Sequence, residues 1–253
     1  MLFCYGPIFI ICLLILKDNL STALMLFTIS FALLFIARFP WKKLLLIMIS
    51  IMVGILLFIS VQEAFPTLQL SRYQTWKARI VRLWEQKQDP SASKVENAQA
   101  NNAKLAIFNG ALIGQGVGDG QLKSYIPEAY ADFYFASFIE EFGLISGVLL
   151  ALTYIVLLFR IIKIAFKTEV LFETYLCLGI GIHLLMQASI NMLVCIGFVP
   201  VTGQNMPFLA MGGSALIMAC VSIGIVQSVA RANNKLTATA TSFDYNGDEK
   251  TDK

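Results

Sequence analysis

Apolar residues fall in six long blocks, at approximately 2–16, 20–37, 43–62, 133–159, 170–199 and 207–230. A helix rising 1.5 Å per residue needs about 20 residues to cross about 30 Å of hydrocarbon. The blocks reach or approach that length, although the first is short and begins abruptly. The block at 170–199 exceeds a minimal span, which predicts tilt or bent ends. The pattern predicts an all-α fold: a polytopic transmembrane bundle of about six spans.

The polar stretches divide the chain further. Residues 1–62 hold three spans, 63–132 form one large loop, and 133–231 hold three more spans. Residues 232–253 lack an apolar period and are expected to be a disordered tail. Arg38, Lys42 and Lys43 join the second and third spans, and Arg160, Lys163 and Lys167 join the fourth and fifth. Arg231 and Lys235 follow the sixth. The other short connections are poor in base, with Lys17 offset by Asp18 and no charge in 200–206. The bias of basic residues toward cytoplasmic loops then places both termini in the cytoplasm and 63–132 on the outer face. The bases within 63–132 do not oppose this, because long loops escape the rule.

Composition agrees. The 253 residues are 57% hydrophobic and 14% charged. Soluble domains carry roughly 25% charged residues, so this chain has too little polar surface to cover itself in water. The balance of 19 basic against 16 acidic residues leaves a formal charge of +3, which separates no function classes. Cys4, Cys12, Cys177, Cys195 and Cys220 all lie in apolar blocks without a CxxC pair, and read as small hydrophobes.

Two parts of the outer loop carry candidate chemistry. From Arg72 to Trp84 the spacing is helical, with Trp76, Ile80, Leu83 and Trp84 on one stripe and Arg72, Arg79 and Arg82 mostly off it. This is either an amphipathic helix lying on the membrane or a set of arginines that hold an anionic lipid head group such as a pyrophosphate. Farther on, Asn109 to Gly120 contains five glycines. Glycines permit tight turns and close backbone approach. A flexible link and a phosphate-binding loop fit them equally, and no strand–helix unit supports a dinucleotide site.

Glu128 and Asp132 stand where the loop enters the fourth span. One helical turn would put both on one face, and acids at the lip of a span are costly to desolvate. Phe133, Tyr134 and Phe135 follow Asp132, and their apolar surroundings favour a proton acceptor. The competing reading makes Asp132 a helix N-cap before an apolar run. Glu140 and Glu141 lie deeper and are expected to pair with a base on another helix. His183 and Gln187 suit helix–helix hydrogen bonding better than a proton relay. No cluster has metal-ligand spacing.

Three stretches resemble one known family, the SEDS proteins (FtsW, RodA and SpoVE). Near the C-terminus, Asn191 and Gly197 precede Pro200-Val201-Thr202-Gly203-Gln204-Asn205-Met206-Pro207-Phe208 and Gly212-Gly213-Ser214. The family pattern has Asn, Gly, Pro-x-Thr-Gly, Leu-Pro-Phe and Ser-Tyr-Gly-Gly in this order. Here Ala210-Met211 stands for Ser-Tyr, and Met206 for Leu. Residues 16–23 are similar to the family's Pro-Asp-x-Gly-Thr-Ala stretch. The third match runs from Ile107 to Gly143 and includes Gly114, Gly116, Lys123, Pro127-Glu128-Ala129, Asp132-Phe133 and Glu140-Glu141. The Trp76–Arg82 region and the Asp18-Asn19-Leu20-Ser21 variant lean toward the division branch, with elongation as the alternative.

The resemblance implies about ten spans in complete members, of which these are the last six, so the chain is expected to be truncated and inactive alone. It implies residence in the bacterial cytoplasmic membrane and a peptidoglycan glycosyltransferase that polymerises lipid II. A sugar hydroxyl attacks the lipid-linked donor and undecaprenyl pyrophosphate leaves. Asp132 matches the family's acidic residue and takes the base role, with Glu128 in support. Lys123, Arg72, Arg79 and Arg82 are candidates for the pyrophosphate. Resident cofactors are none, with Mg²⁺ or Mn²⁺ at the pyrophosphate as the ion the chemistry allows. A class B penicillin-binding protein is the implied partner, alongside other divisome or elongasome membrane proteins. Two other classes compete: a lipid II transporter (flippase) lined by Glu140, Glu141, His183, Gln187 and Asn191, and a non-catalytic scaffold of the divisome.

Overall fold

The computed structural model describes residues 10–12, 14–16, 19–64, 96–120 and 131–248. It is helical: α1 is Leu20–Ile36, α2 Trp41–Ala64, α3 Glu96–Gly110, α4 Tyr134–Phe166, α5 Leu171–Ile196 and α6 Gly213–Asp248. No strand occurs among the described residues. α4, α5 and residues 213–234 of α6 are each long and apolar enough to cross a membrane, and α1 is a shorter apolar helix. The chain is thus an all-α membrane helix bundle, as the apolar blocks predict. The first block lies mostly outside the described residues.

Local chemistry sets the helix ends. Asn19 caps α1, its Oδ1 accepting hydrogen bonds from the amides of Ser21 and Thr22 at 3.1 and 3.2 Å. α5 ends at Gly197, whose left-handed φ of 79° suits glycine. α6 extends beyond its apolar part, which ends at Asn234. The helix continues past the span to Asp248, with no proline and no glycine before Gly247 in the stretch after Asn234.

α4 packs along α5, and α3 packs against α4 and against α5. One buried cluster near the C-terminal end of α5 joins Ala103 and Ala106 of α3 to Phe133, Ala136, Ile139, Cys195 and Met206. A second, toward the other end, gathers Ile161, Cys177, Leu184, Ala219 and Val226. The small residues permit close approach, since without a water-driven term helices in lipid associate through tight packing. Gly181 does this on α5, where a Cβ would lie 3.1 Å from Leu158 and 3.2 Å from Ile161. Large apolar side chains such as Ile145, Leu149, Leu152 and Phe159 stay exposed on α4, the surface expected of a span facing lipid.

α4 is broken at Gly143, whose φ of 85° and ψ of 170° interrupt the helix. The glycine-rich segment after α3 docks onto this break. The Gln115 and Gly116 amides donate to the Glu140 and Glu141 carbonyls at 2.9 and 3.1 Å. In return, the Leu144 and Ile145 amides donate to the Ala111 and Leu112 carbonyls at 2.9 and 3.3 Å. The segment is therefore an ordered splint for a broken helix. Neither expectation for it holds: it is bonded along its length, and the Gln115 and Gly116 amides are occupied by helix carbonyls rather than presented to a phosphate.

Candidate functional site

Asp132 lies two residues before the start of α4 and is half-buried. Phe133 holds the N-cap position, with no side-chain cap bond. The Ala136 and Ser137 amides turn back to the Phe133 carbonyl at 3.1 and 3.3 Å. Phe133 is fully buried and anchors the turn, leaving Asp132 at its edge.

The neighbour that holds Asp132 is Asn191, in the last turns of α5. Its side chain is completely buried. Nδ2 donates to the Asp132 carbonyl and to the Gln204 carbonyl, each at 2.9 Å. Both amide hydrogens are thereby spent on backbone oxygens that would otherwise be costly to bury. The Gln204 side chain continues the chain of bonds, its Nε2 donating to Thr22 Oγ1 at 3.0 Å. The Asp132 carboxylate lies over the same connection between α5 and α6. Its Oδ2 is 3.9 Å from where a Cβ on Gly203 would stand.

That connection, residues 197–212, is held at its far side as well. The Tyr154 hydroxyl, buried in α4, donates to the Pro207 carbonyl. Met206 is buried beneath it. Lys104 of α3 lies across Gly197, its Nζ 2.7 Å from where a Cβ would be, so its positive charge sits at the C-terminal end of α5. Glu140 is fully buried, with Oε2 packed against Gly120 at 2.9 Å from a Cβ position there. His183 and Gln187 are half-buried in α5.

Of the residues singled out from the sequence, Asp132 falls in this site. Glu128, Lys123, Arg72, Arg79 and Arg82 lie outside the described residues. Sequence reasoning missed the partnership of Asn191 with Gln204 and the position of Lys104. The first had a signal, since an amide in an apolar span is costly unless it is bonded. Lys104 had none, because its register on α3 says nothing about Gly197. Among the described residues, no group of three or more His, Cys, Asp or Glu side chains is placed to hold a metal ion. No step is assigned to an ion.

The network defines a class: a membrane helix bundle whose connections at one end are tied by buried amides around a half-buried carboxylate. The three stretches it joins, through Thr22, Asp132 and Asn191–Gln204, are the three that carry the resemblance described above. The chain belongs to the FtsW/RodA/SpoVE family of cell cycle proteins, whose model matches residues 2–235. It is 32% identical over 230 residues to the probable peptidoglycan glycosyltransferase FtsW of Haemophilus ducreyi, covering 89% of this chain and 54% of that protein. It is 38% identical over 149 residues to stage V sporulation protein E of Bacillus subtilis, covering 58% of this chain and 39% of the relative. The chain thus spans about half the length of the curated relatives it matches. A chain in a solved peptidoglycan synthase complex, described as coordinating polymerization and crosslinking, superposes with a TM-score of 0.63 at 26% identity. That likeness covers 87% of this chain and 58% of the other.

Proposed function

We propose that this chain carries the outer-face part of a peptidoglycan glycosyltransferase site, with Asp132 as the base. The observation that supports it most is the bonding of Asn191 to the Asp132 and Gln204 carbonyls, which joins the family's three motifs at the backbone that carries Asp132. Several relatives bear the name probable peptidoglycan glycosyltransferase FtsW, which favours the same activity.

In this reaction the acceptor's 4-hydroxyl attacks the anomeric carbon of lipid II. A carbon–oxygen bond forms as the bond to the pyrophosphate oxygen breaks, and undecaprenyl pyrophosphate departs. Asp132 accepts the hydroxyl proton as the nucleophile commits. The carboxylate can do this because its backbone is pinned on one side and its oxygen lies over an open glycine on the other. The leaving group is good, so a second carboxylic acid is not required, in contrast to a glycosidase pair. Glu128 supports Asp132, and Lys123, Arg72, Arg79 and Arg82 supply charge to the pyrophosphate. The partner is a transpeptidase of the class B penicillin-binding type, in line with the synthase complex that the chain resembles. Both termini are cytoplasmic and the division role is favoured. Asn191, which a lipid II transport path would need, spends both amide hydrogens on carbonyls, and this favours the polymerase reading.

The test is a chimera of the first half of the Haemophilus ducreyi relative with this chain, assayed for lipid II polymerisation in liposomes. Strand synthesis is expected, and Asp132→Asn is expected to abolish it with membrane insertion unchanged. Polymerisation that survives Asp132→Asn overturns the assignment.

A further inference from the structure

We infer that α3 and the glycine-rich segment behind it form a re-entrant hairpin that dips into the outer leaflet, with its apolar ridge facing lipid. The buried and exposed sides of α3 are sharply divided. Ala103, Ala106 and Gly110 turn inward, and Leu105, Phe108 and Leu112 turn outward. Phe108, Ile113 and Val117 are 81%, 84% and 75% exposed. A segment bathed in water has no use for such a ridge, and large exposed apolar surfaces mark sites of contact.

Depth identifies the occupant. The Ala111 and Leu112 carbonyls bond to the Leu144 and Ile145 amides, so the tip lies level with those two residues of α4. α4 is regular from Leu144 to Arg160, which puts the tip about 24 Å above the first basic residue at the other end. That is less than the hydrocarbon thickness of about 30 Å. The ridge is also continuous with the lipid-facing stripe of α4, since Leu144, Ile145, Val148 and Leu149 are exposed beside it. Lys104 stands about 10 Å up the helix from Ala111, near the expected interface, where its ammonium can reach water.

Backbone accounting makes the same point independently. Irregular backbone survives at membrane depth only where its polar groups are satisfied by protein. The break at Gly143 frees carbonyls at Glu140 and Glu141 and amides at Leu144 and Ile145, and the hairpin satisfies all of these. Two segments that would each be unfit for hydrocarbon thus become fit together. This conclusion does not depend on the glycosyltransferase reading.

The experiment places single spin labels at Phe108→Cys, Ile113→Cys and Val117→Cys in the full chain reconstituted in phosphatidylglycerol–phosphatidylethanolamine liposomes, with native cysteines replaced by alanine. Asn101→Cys serves as the aqueous control and Leu149→Cys as the lipid control. Labels at 108 and 113 are expected to collide with oxygen more than with a soluble nickel chelate, as at 149, with the order reversed at 101. Collision with nickel as at 101 overturns the proposal. Protection from both reagents also overturns it, because it means that protein covers the ridge. If the cysteine-free chain does not fold, a photoreactive benzoylphenylalanine replaces Ile113 in the otherwise native chain. Lipid adducts on illumination then support the proposal, and their absence there, with adducts from the same probe at Leu149, overturns it.

Discussion

Asn191 holds Asp132 by its backbone, not by its carboxylate: the amide nitrogen lies 2.9 Å from the Asp132 carbonyl. The carboxylate Oδ2 lies 3.9 Å from a Cβ position on Gly203, and the turn that presents it is bound to the end of α5. Removing the amide as Asn191→Ala strands two backbone carbonyls in a buried place. Loss of about 1–3 kcal/mol of stability is expected, seen as a lower unfolding temperature in detergent. In the chimera, kcat should fall more than KM rises, because the proposed base shifts while the donor can still bind. An unchanged kcat in a well-inserted Asn191→Ala protein counts against this positioning.

Thr22 and Gln204 belong to one network although they are far apart in the chain. Thr22→Val and Gln204→Leu are each expected to destabilise by about 0.5–1.5 kcal/mol. The double variant should lose less than the sum, with a coupling of about 0.5 kcal/mol or more. Thermal or denaturant unfolding of the four proteins in the cycle measures this. Additive losses mean that the two side chains do not share a bond.

Gly143 and Gly114 meet each other's segment at distances that a side chain does not permit. A Cβ on Gly143 would lie 2.4 Å from the Ile113 and Leu112 backbone, and one on Gly114 would lie 2.3 Å from the Glu141 carbonyl. Gly143→Ala should therefore cost more than about 2 kcal/mol, combining strain at positive φ with a backbone clash. Gly224 of α6 meets nothing within 4 Å. Gly224→Ala should stabilise by about 0.5–1 kcal/mol through helix propensity. Equal effects at the two positions, read from unfolding temperatures, count against the splint.

Tyr154 ties α4 to the connection before α6 through Pro207. Tyr154→Phe keeps the ring and removes the bond. The expected loss is about 0.5–1.5 kcal/mol, with faster amide exchange confined to residues around 205–210. Exchange that quickens across all of α4 instead points to a global packing defect.

The spans were legible because hydrocarbon imposes length and composition on any helix that crosses it. Blocks predicted at 20–37, 43–62, 133–159, 170–199 and 207–230 appear as α1, α2, α4, α5 and α6. Asp132 was legible as an acid at a costly depth. That the N-cap position falls on Phe133 was not, because an N-cap aspartate and one a residue earlier look alike in sequence. The glycine segment was misread for a related reason. Glycine spacing states that backbones approach closely, without saying whether the approaching group is a phosphate or another part of the chain.

The sequence by itself determined that this is a helical membrane protein and which family it belongs to, since periodicity, length and motif order are properties of the chain alone. Tertiary structure decided what those motifs do to one another. The Asn191 amide reaches Asp132 and Gln204, Gln204 reaches Thr22, and the glycine segment completes a broken α4. Each of these satisfies a polar group that would be costly to bury alone. The identity of a distant hydrogen-bond partner depends on how helices pack, which no local pattern records.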